Sequence, residues 1–223
     1  MTDEIRGIVQ GVLLAAAALI PIVNPLGMAP LFLTLTRDLT DAERAVLARR
    51  VATNGFLLLV VAIFAGDYVL DFFGVTVPVL QIAGGLVVAS LGFRLLHDSG
   101  NDPEQRQVTS SASLGAKAFY PLTLPLTVGP GTISVAITIG AHHPQSVRSL
   151  LVNAVADAVG ALLIAATVFV CYRYADRTLR RLGETGTSVL VRLSAFIVLC
   201  IGVQIVWTGA SGLLATLPVN VPH

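Results

Sequence analysis

Charge is what this sequence lacks most. Of its 223 residues only 12% are Asp, Glu, Lys or Arg, against about a quarter in an ordinary soluble domain, while 55% are hydrophobic. So little charge cannot cover a water-facing surface, which excludes a soluble enzyme. A net charge of +1 leaves no basic face for phosphates, which excludes a nucleic-acid binder. Cysteine is equally scarce: Cys171 and Cys200 both fall in apolar runs, which excludes a disulfide framework. The adjacent His142 and His143 precede Pro144 in a short connection and point to different faces of any helix, so no metal site is expected.

What is present is long uncharged sequence. Residues 7–36, 72–93, 118–141 and 193–221 contain no charged side chain over 30, 22, 24 and 29 residues, and the mean hydropathy is +0.82. About 20 such residues cross a bilayer. Two further spans, residues 51–70 and 149–172, bring the expected number to six; the last of these carries one charge, Asp157. The first run is expected to be kept as a span rather than removed as a signal, because Asp3 and Glu4 outweigh Arg6 and the run is too long. Twelve of the 14 basic residues, including Arg44, Arg49, Arg50, Lys117, Arg177 and Arg181, fall on one side of these spans, and only Arg6 and Arg148 on the other. The positive-inside rule then predicts both termini outside the cytoplasm.

Residues 98–117 read as a cytoplasmic linker between two three-span units, 1–97 and 118–223. An odd number of spans per unit inverts the second relative to the first. The expected fold is therefore an all-α membrane protein of six transmembrane helices, arranged as two inverted three-helix repeats. The first and fourth helices are expected to be broken, at Asn24-Pro25-Leu26-Gly27 and at Gly129-Pro130-Gly131-Thr132. Proline removes an N–H and clashes with the preceding turn, so in lipid such breaks survive only where the backbone is buried in protein or lines a wet cavity. Paired breaks of this kind are the sequence signature of a secondary-transporter site, with half-helix N-termini turned to an anionic group.

Several polar residues fit that placement. Asn24 is an amide deep in its span, and Thr132 and Ser134 follow the second break. With Pro25, Gly27, Gly129, Pro130 and Gly131 they form the expected substrate site. Asp157 is costly within a membrane helix and should face the bundle interior. With Asn153 one turn earlier and Asn54 in the second span, it is the expected site of coupling to a sodium ion or a proton. Thr40-Asp-Ala-Glu43 reads as a capping box. Gly85, Ala89 and Gly92 form a small-residue stripe for close helix contact. No catalytic residue and no resident cofactor are expected.

The motifs Asn24-Pro-Leu-Gly-Met-Ala-Pro-Leu-Phe-Leu-Thr-Leu-Thr36, Phe73-Gly-Val-Thr-Val-Pro78 with Ile82-Ala-Gly-Gly85, and Tyr120-Pro-Leu-Thr-Leu-Pro-Leu-Thr-Val-Gly-Pro-Gly-Thr132 resemble the MarC family, also called the neutral amino acid transporter family. The resemblance runs through nearly the whole chain. It implies a prokaryotic inner-membrane protein without enzymatic activity, transporting small neutral amino acids of the glycine and alanine class. Asn24, Pro25, Gly27, Gly129, Pro130 and Gly131 are the motif positions, and Met28 and Ala29 depart from the usual pattern. The partners to expect are a small-molecule substrate and membrane lipid, and the sequence is compatible with a homo-oligomer. A lipid-carrier flippase would want intramembrane Arg or Lys, which these spans lack apart from terminal Arg94 and Arg192. That reading and a channel are the alternatives.

Overall fold

The computed structural model describes residues 2–36, 38–97, 114–141 and 147–215, and among them every regular element is helical. In chain order these are α1 (Thr2–Val23), α2 (Pro25–Leu35), α3 (Asp41–Phe73), α4 (Val77–His97), α5 (Leu114–Lys117), a wide π-type segment (Ala118–Thr127), α6 (Pro130–Ala141), α7 (Val147–Arg173) and α8 (Ala175–Ala215). Most of the expected linker, residues 98–113, and the pair His142–His143 lie outside the described residues.

Among the described residues five helices are long and apolar enough to cross a membrane: Arg6–Leu33, Asp41–Phe73, Val77–His97, Val152–Arg173 and Thr185–Ala215. These match five of the six expected spans. The expected fourth differs: its one continuous apolar helix, α6, has 12 residues, about 18 Å at 1.5 Å per residue and short of a bilayer core of about 30 Å.

Local sequence explains the interruptions. Asn24 takes up the left-handed conformation (φ 44°, ψ 56°), which asparagine tolerates better than most residues, and Pro25 then starts α2 at the position where no N–H is needed. The Asn24 carbonyl Oδ1 accepts the Gly27 N–H at 3.2 Å, capping α2. Between α2 and α3, Arg44 donates to the Thr36 and Leu39 carbonyls at 3.2 and 3.1 Å and to Asp41 at 3.0 Å, pinning the turn. The capping box forms as expected: Thr40 N–H donates to Glu43 at 2.9 Å and Glu43 N–H to the Thr40 hydroxyl at 3.3 Å.

The π-type segment has its own logic. Proline disfavours the helical region at the residue before it, and Tyr120 (φ −123°, ψ 126°) and Leu124 (φ −108°, ψ 128°), which precede Pro121 and Pro125, are both extended. Each proline is followed two residues later by threonine. Thr123 donates to the Ala118 carbonyl at 2.6 Å and Thr127 to the Leu122 carbonyl at 2.7 Å, in each case three residues before the proline. The repeat Pro-Leu-Thr, Pro-Leu-Thr thus breaks the helix and supplies hydroxyls to the disturbed carbonyls. Thr123→Val is expected to cost about 1 kcal/mol, the usual net worth of one hydrogen bond, and Thr127→Val roughly 1–3 kcal/mol, because it also strands the buried Tyr172 hydroxyl. Thermal unfolding in detergent checks this; the double variant melting with wild type would show that the hydroxyls are dispensable.

Small residues set the packing. Gly7, Gly11 and Gly160 of α1 and α7 face Val152, Ala156 and Ala15, so these helices run parallel. Gly55 faces Val128 and, further on, Gly66 faces Ile137, so α3 and the fourth segment run in the same sense, and Gly140 crosses α3 at Ile63. The expected stripe on α4 makes the most extensive seam among the described residues. Gly85 lies against the backbone of Gly202 and Val206, Gly92 against that of Ala195 and Leu199, and Gly202 against that of Ala89, so α4 and α8 are antiparallel. α4 also packs on α6, and α8 on α2. Large apolar side chains such as Leu14, Phe72, Leu193 and Trp207 are exposed, as on a lipid-facing surface.

Candidate substrate site at the helix breaks

Both breaks abut the α4–α8 pair. Gly27, three residues into the first break, lies against Ser194 of α8; Gly131, just after the second, lies against Val88 and the Gly84 carbonyl of α4. Ile22, Val88 and Val198 form one buried apolar cluster between them. The first break thus meets the pair at Ser194 of α8 and the second at Val88 and Gly84 of α4, and Thr132 is only 3% exposed.

The two breaks differ in what they offer. At the first, Oδ1 of Asn24 is spent on Gly27, but its Nδ2 is buried and has no hydrogen-bond partner among the described residues. An orphaned buried donor costs roughly 1–3 kcal/mol, so it is a place where an acceptor would be held. At the second, Gly129 offers no capping side chain, and Gly129 O accepts from Ile133 N–H at 3.0 Å, the first turn of α6. Pro130 is exposed at its start. Ser134 is fully buried and donates to the Leu80 carbonyl at 3.0 Å, so its hydroxyl ties α6 to α4. Gln81 reinforces the same joint, donating to Thr138 at 3.4 Å.

Asp157 is buried, 3% exposed, and Asn153 is half-buried one turn earlier on α7. It lies away from the first break. Asp157 follows Ala156, which faces Gly11, and Asn24 lies 13 residues beyond Gly11 along the parallel α1–α7 contact, about 20 Å. Asn54, half-buried, is next to Gly55 and so sits at the level of Val128 and the second break.

A second buried group, not anticipated from the sequence, lies beside the π-type segment. The rings of Phe32 and Tyr172 stack at 4.4 Å between centroids, and the Tyr172 hydroxyl is 2.9 Å from that of Thr127. Phe32 and Tyr172 are both wholly buried. Tyrosine within an apolar run carries no signal of its own; the paired Pro-Leu-Thr repeat was the clue that a polar partner was needed there. Among the described residues no group of His, Cys, Asp and Glu could hold a metal ion.

No solved structure matches the chain. Among curated proteins, an inner membrane protein MarC of Escherichia coli is 33% identical over 213 residues, covering 91% of this chain and 95% of the relative. One of Salmonella typhimurium is 32% identical over 211 residues with the same coverage. The family model described as MarC family integral membrane protein matches residues 9–214. With its five apolar helices and relatives named as inner membrane proteins, the chain belongs to the MarC family of integral membrane proteins.

Proposed function

We propose that this protein is an ion-coupled secondary transporter of small neutral amino acids, working by alternating access at the interface of two inverted three-span repeats. The observation that carries the reading is Asn24: an unpartnered, buried amide donor at a left-handed helix break, suited to one oxygen of a substrate carboxylate. The uncapped first turn of α6 at Gly131 and Thr132 would form the equivalent anion site of the second repeat, since N–H groups and the helix dipole favour an anion there. Pro25, Gly27, Pro130 and Gly131 shape the site, and Ser134 holds its α6 wall against α4.

The helix packing supports the repeat. Gly92 abuts Leu199 while Gly202 abuts Ala89, and the members of each equivalent pair, Gly92 with Gly202 and Ala89 with Leu199, are 110 residues apart. Two antiparallel helices with reciprocal contacts are related by a twofold axis perpendicular to both. For membrane-crossing helices that axis lies in the membrane plane, the relation of an inverted repeat. The other pairings agree: α1 packs on α7 as the α5–α6 region does on α3, and α2 packs on α8 as α6 does on α4. In this reading α5, the π-type segment and α6 together make a sixth, broken pass, and both termini face away from the cytoplasm.

Asp157, about 20 Å from Asn24, would then serve the coupling ion rather than touch the substrate. Uptake of labelled glycine and alanine into proteoliposomes under imposed proton or sodium gradients tests the reading. Wild type should accumulate substrate with one gradient, and Asp157→Asn should keep equilibrating flux but lose accumulation. No flux above empty liposomes would overturn the transport assignment; unchanged gradient dependence in Asp157→Asn would remove the carboxylate from coupling.

A further inference from the structure

Between the apolar helices Val152–Arg173 and Thr185–Ala215 the chain turns at the bilayer surface, and there residues 173–182 carry four arginines against one carboxylate. They keep a single helical register. Tyr174 N–H donates to the Val170 carbonyl at 3.1 Å and Thr178 N–H to that of Tyr174 at 3.0 Å, so α7 runs on through residues 175–182 of α8. The run ends at Gly183, whose φ of 69° favours glycine. At 3.6 residues per turn Arg173, Arg177 and Arg181, four apart, make one stripe, and Ala175, Leu179 and Leu182 fall on the opposite face. Ala175 is wholly buried in the main apolar core, which anchors the segment with its basic side outward: Arg177 and Arg181 are exposed.

The one carboxylate of the segment, Asp176, pairs with Arg180 at the edge of the stripe. On the stripe itself the guanidiniums of Arg173 and Arg177 sit 5.7 and 5.8 Å from the centroid of the Tyr174 ring, so one ring draws two like charges together. Like charges four apart on a helix repel, and an anion placed between them turns that cost into attraction.

We propose that this stripe binds the phosphodiester headgroup of an anionic phospholipid such as phosphatidylglycerol. Position favours that partner, because the stripe begins at the last residue of an apolar span, the level where phosphates flank a hydrocarbon core of about 30 Å. Donor chemistry favours it too, since guanidinium forks grip phosphate oxygens two at a time. Tyr174, 45% exposed beside the cations, is a residue type suited to the membrane interface, a surface that a free phosphate does not need. The site is independent of the transport reading: it would fasten the turn between α7 and α8 to one leaflet whatever the protein moves.

The full chain in detergent, titrated with phosphatidylglycerol or phosphatidylcholine and followed by native mass spectrometry, tests this on the tightest-bound lipid. Phosphatidylglycerol should bind at least tenfold more tightly than phosphatidylcholine. Arg177→Gln with Arg181→Gln should lower its affinity fivefold or more. Arg49→Gln with Arg50→Gln, which removes the same charge from exposed positions on α3, should change it less than twofold. Equal affinity for the two lipids, or no loss in the first double variant, overturns the proposal. Equal losses in the two double variants overturn it as well, because net charge alone would then attract the lipid. So does displacement of phosphatidylglycerol by millimolar inorganic phosphate, since the stripe would then serve a soluble anion.

Discussion

Gly92→Leu is expected to leave little folded protein, and Gly202→Leu the same. A Cβ on Gly92 would lie 2.8 Å from the Leu199 Cα and 2.9 Å from the Ala195 carbonyl oxygen; one on Gly202 would lie 2.7 Å from the Ala89 Cα. These obstacles are backbone, which cannot rotate away as a side chain can, so the α4–α8 pair would have to separate. Overpacking a well-filled site costs about 1–3 kcal/mol, and an isobutyl group driven into main chain on the longest seam of the molecule should exceed that. Without a hydrophobic force between helices in lipid, close backbone approach is what holds such a pair together. Size-exclusion profiles and thermal unfolding in detergent measure the effect, with Ser90→Leu as the control because Ser90 is exposed on the same helix. A Gly92→Leu variant melting within a few degrees of the control would mean that the seam is not what stabilises this fold.

That seam was legible in the sequence, since glycine and alanine recurring at helical spacing in an apolar run have few other uses. So were the first break and the capping box, because Asn24-Pro25 and Thr40-Asp-Ala-Glu43 act on their own neighbours. The fourth span was legible only as broken. That Tyr120 and Leu124 would turn extended followed from the prolines, but that Thr123 and Thr127 would return to the carbonyls before them depends on a backbone path no periodicity encodes. Distances between spans were out of reach for a stronger reason. Asp157 and Asn24 are both polar and both interior, and one sequence gives no register between α1 and α7; only the facing of Gly11 with Ala156 separates them by about 20 Å. Gln81 and Tyr172 were missed because their partners, Thr138 and Thr127, lie on other helices.

The amide of Asn24 separates a structural from a substrate-binding role by a single atom. Asn24→Asp keeps an oxygen to accept the Gly27 N–H and a residue type that tolerates the left-handed backbone, so the break and its cap should persist. What changes is the orphaned donor, which becomes a carboxylate oxygen. Two like charges 4 Å apart repel by about 4 kcal/mol at the effective dielectric of a protein surface, and each 1.4 kcal/mol is a factor of ten, so amino acid uptake should fall a hundredfold or more. Asn24→Gly keeps the backbone but removes cap and donor together. Losing the cap to glycine costs only a few tenths of a kcal/mol, whereas one hydrogen bond to a charged group is worth about 1.5–3 kcal/mol, so uptake should fall roughly tenfold or more with a small loss of stability. If Asn24 merely shaped the helix, the order would reverse: the aspartate variant would transport as wild type and only the glycine variant would suffer. Uptake rates normalised to folded protein decide between the two, because the carboxylate can harm transport to this extent only by standing where the substrate's own negative charge must sit.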